Sequence, residues 1–270
     1  FLDLQARHNL SNQRMRGDVL SEANKALHQV QSVKRVESAV PFVFDKNVIV
    51  NFEGKRYFNT SRITPLHPSD KSKKWGEDFP FIAEWAEGMF GKDQLPWEQS
   101  WLAYAYQGFL KGVPKKGHCH ILVGPSNCGK TMWNTKLLAT IFGGHIKCSE
   151  YLVGRTEFND HLFESGLWTV DDEAGASGES HVKFSSKIKE FVANDTFVVN
   201  AKFKKSGRVF WCGRLSITCN NDPMSMRMLP DLDMSTRDKL MVFNCEKFTG
   251  FYEGWLSVML KELPHFCAWL

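Results

Sequence analysis

Apolar residues along this chain switch repeatedly between helical spacing and short continuous runs, the pattern of an α/β protein. Residues 1 to about 40 are polar with spaced Leu and Val and are expected to be helical, ending at Pro41. Phe42–Phe44, Val48–Phe52 and Lys55–Phe58 are expected to be short strands, the last two joined by a turn at Glu53-Gly54. Two prolines and the run Lys71-Ser72-Lys73-Lys74 mark Thr64 to Gly76 as a linker or exposed loop. Phe79–Phe90 and Trp97–Leu110 read as two helices. Ile82, Trp85, Ala86, Met89 and Phe90 share one face, and Trp97, Trp101, Leu102 and Ala105 share another. Both stripes read as core.

The second half repeats the alternation. His120–Val123 is expected to be a buried strand, followed by a helix with Trp133, Leu137, Leu138 and Ile141 at helical spacing, ending at Gly143-Gly144. Phe163–Val170 and Arg214–Asn220 read as further strands. Between them lie an amphipathic helix, Val182–Ala193, with Phe184, Ile188, Phe191 and Val192 on one side, and a β-hairpin spanning Thr196–Trp211. The expected division is a helical and short-strand segment over 1–76, a collar or linker, and one large α/β domain over 77–270.

Composition excludes some classes of function. With 43% hydrophobic and 24% charged residues the chain is ordinary globular protein. It holds no run of apolar residues long enough to span a membrane, and Phe1-Leu-Asp-Leu-Gln5 is no signal peptide, so it is expected inside a host cell and not secreted. A net charge of +4 means that any nucleic-acid binding must come from a local patch. The start at Phe1 and the end at Leu270 in an apolar run are those expected of a piece of a longer polypeptide. Seven cysteines without a C-x-x-C pair read as reduced core thiols. His118-Cys119-His120 is not expected to hold metal, because successive strand residues face opposite ways and no second ligand pair follows.

The chemistry centres on Gly124-Pro125-Ser126-Asn127-Cys128-Gly129-Lys130-Thr131, a full match to G-x-x-x-x-G-K-[ST] between a strand and a helix. Glycines let successive backbone N–H groups turn around an anion, and the helix N-terminus adds partial positive charge. Lys130 is expected to reach the β- and γ-phosphates of ATP, and the Thr131 hydroxyl to take one Mg²⁺ position. The strand Phe163–Val170 ends in Asp171, Asp172 and Glu173. Placed beside the first strand, it would bring Asp172 to the metal and Glu173 to the attacking water, with Asp171 as the alternate if the register slips by one. Asn220, ending a polar strand, is expected to bond the γ-phosphate or hold the water, the role called sensor 1. Arg237 is the fork that a neighbouring subunit would insert against the transferring phosphoryl group. The hairpin tip carries Lys202, Phe203, Lys204 and Lys205, a basic and aromatic stretch suited to a phosphate backbone.

This order of motifs resembles the superfamily 3 helicases of the AAA+ class, found in small DNA viruses, poxviruses, phages and plasmids. Asp172-Glu173-Ala174-Gly175 resembles the parvovirus Walker B ending. Asn200-Ala201-Lys202-Phe203-Lys204 resembles the papillomavirus hairpin, with Phe203 where that family has histidine. Asn51-Phe52, Tyr57–Thr60, Trp101-Leu-Ala103, Gln107 and Glu262–Leu270 resemble the poxvirus- and phage-type primase-helicases, although an arginine pair of that group reads Arg237-Asp238 here. The resemblance covers residues 45 to 270 and is strongest from 118 to 243. It implies a three-layer α/β/α P-loop core with a central mostly parallel sheet, a homo-oligomeric ring of six, single-stranded or forked DNA as partner, and a primase or other replication partner. The segment before it is too short for a primase active site. A non-replicative AAA+ motor and a monomeric P-loop NTPase or kinase are the alternative readings, the latter disfavoured by the basic hairpin.

Overall fold

A computed structural model of the chain describes residues 9–14, 17, 20–33, 35–70, 74–113, 115–171, 178–202, 206–230 and 233–270. Its centre is a five-stranded, wholly parallel sheet ordered β10-β4-β9-β6-β5. The strands are β4 (Cys119–Gly124), β5 (Ile146–Lys147), β6 (Leu167–Val170), β9 (Arg214–Asn220) and β10 (Leu240–Asn244). All six residues of β4 are buried, as expected of a strand covered on both faces. Cys119, Ile121 and Val123 join one core cluster with Trp168, Val170, Leu215 and Ile217. Leu122 joins the cluster on the other face, under the long helix α2 (Pro80–Leu110) and the C-terminal helix α7 (Trp255–Trp269).

One expectation is corrected by the strand order. The acidic strand β6 does not lie beside β4; β9 pairs with both and separates them. Strand adjacency follows crossover geometry, which apolar runs do not encode. The polar strand therefore ends directly next to the phosphate loop, and the acidic strand ends about 10 Å away at two strand spacings.

Other elements match or shift by identifiable causes. Helix α1 occupies Glu22–Val33, a fraction of the long helix expected before Pro41, and Ala39–Val40 is strand β1. Phe42–Phe44 is not a strand: Asn59 Oδ1 accepts from Phe42 N while its Nδ2 donates to the Phe42, Asp45 and Asn47 carbonyls, folding the segment into a turn. β2 (Ile49–Phe52) and β3 (Lys55–Asn59) form the expected hairpin, with Glu53 at φ +49° and Gly54 at φ +72°. α2 runs Pro80–Leu110 with a break at Gly91 (φ +64°, ψ +173°), which separates the two helices expected from the apolar stripes. The loop helix α3 covers residues 130–141 and is π-helical over Trp133–Leu138. Short helices α4 (Ser149–Leu152) and α6 (Pro223–Met226) flank α5, Gly178–Ala193, which buries Phe184, Ile188 and Phe191 as its amphipathic spacing requires. All seven cysteines are free and buried.

The Thr64–Gly76 stretch is a strap and not an exposed loop over its described residues. Ile63, Leu66 and Trp75 pack on the core, Leu66 N donates to Ile141 O, and Tyr106 Oη donates to Leu66 O. Lys71–Lys73 lie outside the described residues. The start of α2 has no side-chain cap of its own. Glu262 of α7 supplies one, its two oxygens accepting from Phe81 N at 3.2 Å and Ile82 N at 3.0 Å. Glu262→Ala is therefore expected to cost about 1–3 kcal/mol by leaving two buried N–H groups unpaired. A lowered urea midpoint at unchanged slope would show this, and an unchanged midpoint would deny the cap any weight.

Candidate functional site

The site is built where β4 turns into α3. Gly124 ends the strand against the Cys245 backbone, and a Cβ there would lie 2.4 Å from the Cys245 carbonyl oxygen, so only glycine fits. The loop then needs left-handed backbone twice, at Asn127 (φ +60°) and Gly129 (φ +105°). Gly129 is the N-cap of α3, so the loop presents the unpaired N–H groups of a helix start.

Lys130 folds back into this loop and is 6% exposed. Its Nζ donates to Gly124 O at 2.7 Å and Pro125 O at 2.8 Å, and lies 3.5 Å from Cys128 Sγ and 3.4 Å from Asn220 Oδ1. Those acceptors are neutral, and among the described residues no carboxylate pairs with this ammonium. A buried cation held by dipoles alone is short of negative charge, which a polyphosphate would supply. Asn220 sits opposite Gly124 in the β4–β9 register. A cavity of about 350 Å³ opens here, lined by the loop together with Lys130, Thr131, Met132, Thr218, Asn220 and Phe251.

The structure thus brings Gly124–Thr131 and Asn220 together. Asp171 does not line that cavity. It follows β6 on the face of Thr169, and its Oδ2 pairs with Lys147 Nζ at 2.6 Å while its buried Oδ1 has no partner. Neighbouring His145, bonded to Thr169 Oγ1 at 3.0 Å, has its pKa lowered by burial, with Asp171 acting in the opposite direction. Asp172 and Glu173 lie outside the described residues. Toward Mg²⁺ the cavity offers the exposed Thr131 hydroxyl, a hard oxygen donor like the phosphates of a nucleotide, whereas the orphaned Asp171 oxygen is buried outside the cavity. No cluster of three His, Cys, Asp or Glu side chains able to hold a metal occurs among the described residues.

Several contributors carry no motif. Behind the loop runs a buried polar chain. Glu98 of α2 accepts from Trp133 Nε1 at 2.9 Å and lies 2.7 Å from His120 Nε2. His120 Nδ1 meets Ser216 Oγ at 2.7 Å, and Ser216 donates to Asn134 Oδ1 at 2.8 Å. This chain ties α2, β4 and β9 to the π-helical turn of α3, so the asparagine strand and the lysine helix are locked in one register. His120, half of the tempting His-Cys-His motif, is thereby occupied in the core. Its partners are scattered over more than a hundred positions, and no local signal announces them.

The hairpin forms as expected from β7 (Thr196–Val199) and β8 (Gly207–Phe210), with Val199 opposite Gly207. Lys202 is exposed on its connecting loop, whereas Phe203, Lys204 and Lys205 lie outside the described residues. The loop-proximal end of the hairpin rests on the N-terminal sheet. Arg208 pairs with Glu53 at 2.8 Å, and a Cβ on Gly207 would meet Ser38 and Val40 within 2.8 Å. Arg237 is exposed in the turn before β10, anchored through Asp233, which accepts its N–H at 3.1 Å and faces Lys189 of α5 at 3.8 Å. Leu240 pairs with Cys119, so Arg237 stands beyond the far end of β4, about 17 Å of strand from Gly124.

A family of unknown function (DUF5906) matches residues 122–237, under half of the chain. No protein in a curated set matches the sequence. Among solved structures, an apo form of the NrS-1 C-terminal region aligns at TM-score 0.64 and 15% identity, over 93% of this chain and 61% of that one. The fold is similar to that of NrS-1. A second apo form of the same region gives 0.61 and 16%, over 94% and 62% of the two chains. This chain therefore spans about three fifths of the NrS-1 chains it matches. A ligand-bound JCV helicase aligns at TM-score 0.36 and 14% identity, over 66% of this chain and 54% of that one. Among the described residues no helix is long and apolar enough to cross a membrane.

Proposed function

We propose that this chain is the motor of a ring-forming, ATP-dependent DNA helicase of the superfamily 3 type, serving replication of a virus, phage or mobile element. The observation that carries the reading is the buried Lys130 ammonium, without a carboxylate partner among the described residues, beside Asn220 at the mouth of a nucleotide-sized cavity. Nucleotide phosphates replace the Gly124 and Pro125 carbonyls as partners of Lys130, trading neutral acceptors for charged ones. Thr131 and an acid of the β6 end, Asp172 or Asp171, hold Mg²⁺, which neutralises charge between the β- and γ-phosphates when bound. Glu173 takes the proton of the attacking water and the Asn220 amide orients it. Arg237 arrives from the neighbouring subunit, six of which close a ring.

Residues 77–270 form the motor and 1–76 its collar, on which the loop-proximal end of the hairpin rests. Lys202 to Lys205 track the backbone of one threaded strand. DNA-stimulated ATP turnover that rises steeply with protein concentration, and opening of a forked but not a blunt duplex, are the expected results. A stimulated ATPase that leaves forks closed would redirect the reading to a non-replicative AAA+ motor. Lys202→Ala is expected to leave basal turnover intact, weaken single-strand binding and reduce the log–log salt slope by about one. Unchanged strand affinity in that variant would return the hairpin to a structural role.

A further inference from the structure

The cavity at the loop has a lining of two chemical kinds. Ser126, Asn127, Lys130, Thr131, Thr218 and Asn220 are polar, whereas Met132 and Phe251 are apolar. Phosphates belong at the first, so the nucleoside must leave the loop across the second. Phe251 lies between β10 and α7, outside every motif of the sequence. Its Cε2 and Cζ atoms come within 3.5 Å of where a Cβ on Gly129 would stand. Its ring is clamped edge-on by Trp85 at 5.3 Å (74°) and Phe248 at 5.0 Å (85°), and at a tilt by Trp255 at 5.0 Å (60°). Such a ring is fixed before any ligand arrives, so little ordering cost remains on binding. Behind it, Trp85 is fully buried and its Nε1 has no hydrogen-bond partner, lying 3.1 Å from the same Gly129 Cβ position. The indole N–H is therefore turned toward the loop and not into a satisfied core bond.

We infer that Phe251 is the base platform of the nucleotide site, with Met132 flanking it, and that the site accepts nucleoside triphosphates with little regard to the base. Every base has a π-face, so a platform that offers stacking without hydrogen-bond readout selects by stacking area alone. The Trp85 Nε1 donor on the ring's inner side is fully buried and closed off from a base edge, and the polar side chains of the lining belong to the phosphate loop and the strand that faces it. Purines therefore bind somewhat better than pyrimidines, and ATP and GTP are near equals. This rests on the phosphate-loop reading above.

Calorimetric titration of the chain with Mg²⁺ and ATP, GTP, CTP, UTP or inorganic tripolyphosphate tests both readings separately. The wild type is expected to bind the four triphosphates within about tenfold of one another, purines tighter. Phe251→Ala is expected to weaken each by about tenfold while tripolyphosphate affinity stays constant. Phe251→Leu keeps apolar volume against Trp85 and Trp255 without a ring face and should lose affinity equally, whereas Phe251→Trp should restore it. A wild type preferring ATP over GTP a hundredfold would overturn the inference, as would a folded Phe251→Leu that binds ATP like wild type. If tripolyphosphate and all four nucleotides fail to bind wild type, the phosphate-loop reading itself falls.

Discussion

Lys130→Ala is expected to weaken ATP binding by a hundredfold or more and to abolish turnover, without lowering thermal stability. Truncating one partner of a buried, charge-assisted contact costs about 2–5 kcal/mol, and each 1.4 kcal/mol is tenfold in affinity. The ammonium has four neutral neighbours and no carboxylate partner among the described residues, so without nucleotide its removal relieves a buried charge. Binding and stability should thus move apart: the calorimetric ATP signal vanishes while the melting temperature holds or rises. Lys130→Arg should fail almost as badly, because a planar fork cannot occupy the narrow space between the Gly124 and Pro125 carbonyls. An alanine variant that binds ATP normally would mean that this loop does not hold phosphates.

Arg237→Ala is expected to lower turnover about a thousandfold or more, the range for arginine fingers, with ATP affinity unchanged. The turn that carries Arg237 precedes the edge strand β10, whose first residue pairs with the first residue of β4. Gly124 lies at the other end of that pairing, out of reach of an arginine on the same subunit. An arginine finger at this position would have to come from a second copy, which makes complementation the sharpest measurement. A mixture of Arg237→Ala and Lys130→Ala subunits should regain part of the lost turnover. Intact loops would then meet intact fingers at some interfaces. No recovery in a mixture that does co-assemble, or full activity of Arg237→Ala alone, would remove the trans assignment.

The strand, glycine loop and helix around Gly124–Thr131, the strand β6, the strand that Asn220 ends and the hairpin between them were legible from the residues. Each is a local pattern: glycines where φ must be positive, apolar runs where both faces are covered, alternation where one face is. Period and turn chemistry act within a few residues, so sequence order preserves them. The break between the stripes of Phe79–Phe90 and Trp97–Leu110 falls in the structure at Gly91.

What the residues by themselves determined is the identity and order of the groups that carry charge and hydrogen bonds. Which of them meet was decided by packing. The insertion of β9 between β4 and β6 sets Asn220 against Lys130. The Glu98–His120–Ser216–Asn134 chain and the Glu262 cap join residues far apart in the chain. Phe251 reaches the loop only because the segment after β10 folds over Gly129. Such contacts depend on the crossover paths that bury both faces of one parallel sheet, a requirement of the whole chain that no short window of residues contains.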